Sequence, residues 1–262
     1  MYTQHIGRRE ILLARTVFAV IVVLLTAPSI SAAQEWATLS GRFLYPPELS
    51  ADANARNDKE LVVNPKNNGL ANVAVWMYRR GKDLKPLPDE HPDYKAAMEH
   101  KKSIAFANGN INSQIFLLRT GQPLEVINND AVAYDPSFTF QNLKNKPINR
   151  PLPPGERFQV ELKHAEPLPV LIQCAVHPHL HGRLLVMDHP YMSYTDKDGK
   201  FEIKNVPRGE WTFQFWHSKT GYVRNVKRGT KEEHWHRGRL KIDLTADKDL
   251  GDIEISQFRS AI

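Results

Sequence analysis

A single cysteine, Cys174, stands among 262 residues, so no intramolecular disulfide can form. Long apolar runs are missing too. The greasiest stretch, Thr16–Ala27, has about twelve residues, where a bilayer span takes roughly twenty. The chain has no glycine-rich phosphate loop and no HExxH helix, and Ser193 and Ser218 lack the flanking glycines of a nucleophile elbow. These absences remove the common nucleotide, zinc-protease and serine-hydrolase readings, and the expectation is a protein that is not an enzyme. Lysines and arginines form no stripe interleaved with aromatics, which argues against nucleic acid as a partner. No internal repeat is visible.

What is present begins with a leader. Arg8, Arg9 and Arg15 precede and open the apolar stretch, Pro28 and Ser29 break it, and Ser31-Ala32-Ala33 offers small residues for cleavage. Charge, short apolar run and small residues in that order form a secretory signal peptide over residues 1–33. The expected product is exported, periplasmic or extracellular, and has no membrane span after cleavage; an uncleaved anchor is the alternative. Gly7-Arg8-Arg9-Glu10-Ile11-Leu12 also resembles a twin-arginine leader. Removing the leader leaves 229 residues (262 minus 33) and lowers the net charge from +6 to about +4. A mildly basic surface of that kind suits an acidic partner or simply a soluble exterior. In an oxidising compartment the lone thiol of Cys174 is a liability unless it is buried or bound.

Short segments rich in Val, Ile, Leu and Phe, punctuated by Gly, Pro and Asn, predict an all-β fold. Strands are expected at Thr38–Tyr45, Asn72–Arg79, Gln114–Arg119, Leu124–Asn128, Arg157–Lys163, Val170–Gln173 and Arg183–Met187. Phe158, Val160 and Leu162 alternate with Gln159, Glu161 and Lys163, as in a strand buried on one face. A helix is expected near Pro92–His100, and long loops at Pro46–Asn68 and Lys82–His91. Asp196-Lys197-Asp198-Gly199 reads as the turn of a hairpin joining Tyr191–Thr195 to Lys200–Lys204. Its acidic pattern also suggests a calcium loop, but the later acidic ligand is missing. Pro207-Arg208-Gly209 turns into a further strand at Trp211–His217. A domain boundary is expected near Asp188, dividing 34–188 from 189–262.

The chemistry centres on Cys174-Ala175-Val176-His177-Pro178-His179-Leu180-His181. A thiolate and an imidazole three residues apart, on a tight loop after an apolar strand, can face one metal ion. Blue-copper sites combine such a thiolate with two imidazoles and a weak axial ligand. Upstream, Gly121-Gln122-Pro123-Leu124-Glu125-Val126-Ile127-Asn128-Asn129-Asp130 is a strand running into an Asn-Asp turn. Together these segments resemble the plastocyanin/azurin (cupredoxin) superfamily. The run from Pro167 to Tyr222, with GLANVAVWMY at Gly69–Tyr78, is similar to bacterial methylamine-utilisation-type plastocyanin-like proteins. The resemblance implies a cupredoxin-like Greek-key β-sandwich followed by a small carboxypeptidase-regulatory-like (transthyretin-like) β unit. It also implies copper, and a redox protein as partner.

Ligand by ligand, the resemblance implies Cys174 and His177 as the thiolate and one imidazole. The other imidazole's place holds Tyr134, followed by Asp135, and the axial methionine's place holds Leu180. The upstream Cys and Pro-His pair of the group has no counterpart in Asn108–Gln114. Tyr134 is either a phenolate ligand, at the cost of ionising a group with an ordinary pKa of about 10, or a packing residue. His179 and His181, two residues apart at the start of a strand, are the other candidates and can share a face. With Cys174 and His177, one of them completes a non-blue Cu(II) or Zn(II) site. The alternative is a metal-free β-sandwich module of the cell envelope, with Cys174 a small buried hydrophobe. Trp216-His217 reads as a structural strand end, and His234-Trp235-His236 as a solvated polar loop.

Overall fold

The computed structural model describes residues 36–46 and 60–256; the expected signal peptide, most of the expected loop at 46–68 and the last residues lie outside them. The first strands are β1 (Trp36–Leu44) and β2 (Ala74–Met77), followed by helix α1 (Pro92–Glu99). A middle group follows: β3 (Lys102–Ala107), β4 (Asn110–Ile111), β5 (Ile115–Arg119), β6 (Leu124–Asn128), β7 (Pro136–Thr139), β8 (Ile148–Asn149), β9 (Arg157–Val160), β10 (Val170–Cys174) and β11 (His181–Met187). The last group is β12 (Met192–Tyr194), β13 (Lys200–Pro207), β14 (Glu210–His217), β15 (Gly221–Tyr222), β16 (Asn225–Arg228), β17 (Lys231–His234), β18 (Arg239–Asp243) and β19 (Lys248–Ile255). The all-β expectation is met, and each strand expected from the sequence has a counterpart.

Four sheets result. The middle group makes two of them, ordered β4-β3-β6-β9 and β5-β11-β10-β7-β8. The first and last groups together make the other two, β13-β1-β19-β16-β17 and β12-β2-β14-β15, with β18 also on β14. Alternate residues along the central strands belong to different apolar clusters, which sets the layering. Val75, Met77, Phe213 and Phe215 face Leu39, Phe43, Phe201 and Ile253 in an outer core. Ala74, Trp76 and Trp216, on the opposite face of the same sheet, meet Leu185 and Met187. Leu184 and Val186 then turn to Ile104, Phe106, Val126 and Ile172 in an inner core. Two sandwiches are thus stacked face to face. This explains why β2 is buried at every position and why Leu184–Met187 is apolar without a break, since both faces of these strands are covered.

Two expectations change here. The boundary near Asp188 does not divide the sheets, because β1 pairs with β13 and β19 while β2 pairs with β12 and β14. Strands on either side of residue 188 therefore share one sandwich, and residues 102–187 form the other as an insertion within it. The Asp196–Gly199 turn forms, with the Asp196 N–H donating to the Lys200 carbonyl at 2.8 Å. It is not a hairpin within one sheet, however: β12 continues onto β2 and β13 onto β1, so the turn carries the chain from one sheet to the other.

Candidate metal centre

β10 delivers Cys174 to one end of the inner core, where it is 1% exposed and carries a free thiol. The following loop is folded tightly back. The Cys174 N–H donates to the Leu180 carbonyl at 3.0 Å, and the Leu180 N–H donates to the His177 carbonyl at 2.9 Å. That turn brings His177 Nδ1 to 3.7 Å from Cys174 Sγ. For thiolate and imidazole donors about 2.3 and 2.0–2.1 Å from one ion, a tetrahedral angle separates the donor atoms by about 3.6 Å. At this distance the thiol and imidazole are within hydrogen-bond reach of each other, and the same spacing would suit two donors to one ion.

Tyr134 enters from the segment before β7. Its ring stacks on Phe106 at 4.8 Å between centroids and meets His177 edge-on at 5.2 Å. Tyr134 thus sits beside His177, and its hydroxyl donates to Asp130 Oδ2. Burial first, and the Asp130 carboxylate beside it, push the Tyr134 phenol up to about 12. The same bond lowers Asp130. With its hydroxyl committed to Asp130 and its ring buried, Tyr134 forms a wall of the site. Leu180 is buried and has no lone pair to offer.

The two remaining histidines separate. His179 is exposed on the loop, its ring edge-on to His177 at 6.1 Å. His181 is the first residue of β11, and its Nε2 lies 3.1 Å from Glu60 Oε1. That bond is the main cause of the raised His181 pKa and of the lowered Glu60 pKa. The expectation that both histidines share a strand face fails because the strand begins only at His181. Among the described residues no three His, Cys, Asp or Glu side chains gather as a metal-binding group.

In the sequence Asp135 is only the residue after Tyr134, yet it shapes the sulfur's surroundings. Its backbone N–H donates to Cys174 Sγ at 3.3 Å, and its carbonyl accepts from the Ala175 N–H at 3.0 Å. The antiparallel register of β7 and β10, which pairs Cys174 with Pro136, produces these contacts. Spacing in the sequence does not reveal that register.

The other motifs resolve as structure. His217 is buried at the end of β14 and accepts the Lys219 N–H on Nδ1 at 3.2 Å. His234-Trp235-His236 is not a solvated loop, because Trp235 is buried against Phe215 at 4.9 Å between centroids. Asp198 accepts from the side chains of Asn64 and Asn67 and from Lys197, as a turn carboxylate rather than a cation ligand.

No family model and no curated protein match the chain. Among solved structures it is similar to amicyanins. One is a mutant in the reduced state, 15% identical with a TM-score of 0.29, covering 33% of this chain and 81% of that one. Another is a Cu(I) mutant with the same identity and coverage and a TM-score of 0.30. A reduced Cu(I) form at pH 4 covers 34% of this chain and 83% of its own, at a TM-score of 0.30. These low scores carry no argument about chemistry, and the all-β fold rests on the pairings described above.

Proposed function

We propose that this is an exported copper-handling protein that holds one Cu(I) ion between Cys174 and His177, and that it is neither a blue-copper electron carrier nor an enzyme. The observation that carries the reading is the 3.7 Å spacing of the thiol sulfur and the imidazole nitrogen. Two soft or borderline donors suit Cu(I), which thiolates select, whereas a blue centre needs a second imidazole. When bound, the ion supplies a soft centre that can be passed on by ligand exchange. The chain's own residues do the rest. The Asp135 N–H supports negative charge on the sulfur, Tyr134 and Leu180 close the inner side to water, and the loop leaves His177 half-buried with His179 beside it. In this reading the partner is an envelope protein that donates or accepts copper; a redox partner belongs to a site with the full ligand set.

A metal-free binding module is the second reading. It is favoured by the near-complete burial of Cys174 within an apolar cluster and by the want of a third donor among the described residues. One experiment separates the two. The mature protein is titrated anaerobically with Cu(I) against a chromogenic competitor, and separately with Cu(II) and Zn(II). The expected result is one Cu(I) per chain, weakened at least about 100-fold in Cys174→Ala, with no intense thiolate-to-Cu(II) band. The double variant Tyr134→His/Leu180→Met should gain such a band. Absence of stoichiometric Cu(I) binding, or binding indifferent to Cys174→Ala, would leave the metal-free module; an intense band in the unaltered protein would restore electron transfer.

A further inference from the structure

The inner sandwich has an open side, distinct from the Cys174 loop. β8 ends one of its sheets and β9 ends the other. Between these two edges runs a groove of about 520 Å³, lined by Lys144–Arg150 and Phe158–His164. Its floor is apolar, with Phe158, Val160 and Leu162 buried and Ile148 half-buried. Its rim is cationic. Lys144, Lys146, Arg150 and Lys163 stand exposed with His164, against the single carboxylate of Glu161, 3.5 Å from Lys163 Nζ. The Arg150 guanidinium lies over the Phe158 ring at 5.0 Å.

One wall of this groove is held firmly. Glu166 is fully buried, and its carboxylate accepts the Gln141 and Asn142 N–H groups at 2.9 and 2.8 Å and the Asn145 side-chain amide at 2.6 Å. Asn145 also donates to the His164 carbonyl at 2.8 Å, tying one wall to the other. At the tip of the same loop Leu143 is 99% exposed. The register of β7 on β10 sets Thr139 beside Leu171 and Pro136 beside Cys174, so this loop leaves the sheet at the end away from the thiol.

We propose that the groove docks an extended acidic segment of a partner protein, laid along the free edge of β8 or β9 with its carboxylates against the lysine and arginine rim. Edge strands offer unpaired backbone groups to an added strand, and the apolar floor takes alternate side chains. Four fixed cations against one carboxylate select an acidic occupant and repel a second copy of this chain. The competing account of the same charges is that lysines on edge strands merely prevent aggregation. Protection of that kind requires neither a groove nor a pinned wall with an exposed leucine at its tip.

The test uses the full mature chain and a fluorescent, end-capped decapeptide of alternating glutamate and valine, with binding read by anisotropy. Saturable binding is expected. It should weaken at least about tenfold in Lys146→Glu/Arg150→Glu, and similarly when alternate peptide nitrogens are methylated to block strand pairing. The lysine-valine counterpart should not bind, and Cys174→Ala should bind as the parent does. No saturable binding, or affinity unchanged in the charge-reversal variant, overturns the proposal. Equal affinity for the methylated peptide, or tighter binding of heparin lost in the same variant, would make the groove a site for polyanions and would also overturn it.

Discussion

His189 shows how much a buried residue conceals from sequence reading. It lies between Asp188 and the start of β12, with Nε2 2.9 Å from the Met77 carbonyl and Nδ1 accepting the Tyr191 N–H at 3.2 Å. A neutral ring protonated on Nε2 satisfies both contacts, and a second proton would face an N–H. Burial pushes its pKa down to about 4; Asp188 opposes the shift, and Arg79 and Arg119 reinforce it. Above the unfolded value near 6.5 both states are neutral. Below it only the unfolded chain takes up the proton, so stability is lost as pH falls from 6.5 towards 4, by about 2 kcal/mol at pH 5. Urea unfolding should therefore find the advantage of the parent over His189→Gln smaller by about that amount at pH 5 than at pH 7.5. A gap independent of pH would mean that the folded ring is not held neutral. The Cys174–His177 pair, by contrast, is legible from a three-residue spacing on one loop. The bonds of Tyr134 to Asp130 and of His181 to Glu60 are not, because geometry rather than a recognisable pattern makes them.

At the scale of elements, the sequence reveals strands better than pairings. Alternation at Phe158–Lys163 marks an edge strand with one wet face, while the unbroken apolar run of β11 marks a strand covered twice. The chemistry of a turn is local and legible; the sheet it leads to is not. Gly199 has φ +77°, as an Asp-Gly turn needs, but a Cβ there would lie 2.2 Å from the Phe43 carbonyl oxygen and 2.9 Å from Leu70 N. The turn is packed onto β1 and the chain before β2, which fixes the crossing between sheets. Gly251 supplies a control, with φ +69° and nothing within 4 Å of where a Cβ would stand. Gly251→Ala should cost about 1 kcal/mol from backbone strain alone. Gly199→Ala adds a clash with fixed backbone and should cost more than about 3 kcal/mol. For a chain of this size the drops in Tm are about 2–4 °C and 6–12 °C respectively. Equal drops would show that the turn yields easily.

At the scale of the whole molecule, the order of pairing differs from the order of the chain. A linear reading places one unit before Asp188 and another after it, because local composition changes there. The sheets follow a nested plan instead, which rests on contacts between residues far apart in sequence: Leu39 with Lys248, Trp76 with Gln214. The nesting has a direct consequence for fragments. Residues 189–262 alone lack β1, the strand between β13 and β19, and β2, the strand between β12 and β14, so both sheets would be split and the outer core left without Leu39, Phe43, Val75 and Met77. Losing four such side chains removes on the order of 6–12 kcal/mol of burial, as much as a whole domain's net stability. Residues 101–188 retain every strand of the two inner sheets and the whole inner core. Expressed separately, the middle fragment should unfold cooperatively and keep its near-ultraviolet circular dichroism, and the C-terminal fragment should show neither property. The middle fragment exposes Leu185 and Met187, which Trp76 and Trp216 cover in the full chain, so it should also be less soluble until those two are made polar. A folded C-terminal fragment would return the boundary to Asp188 and contradict the nested plan.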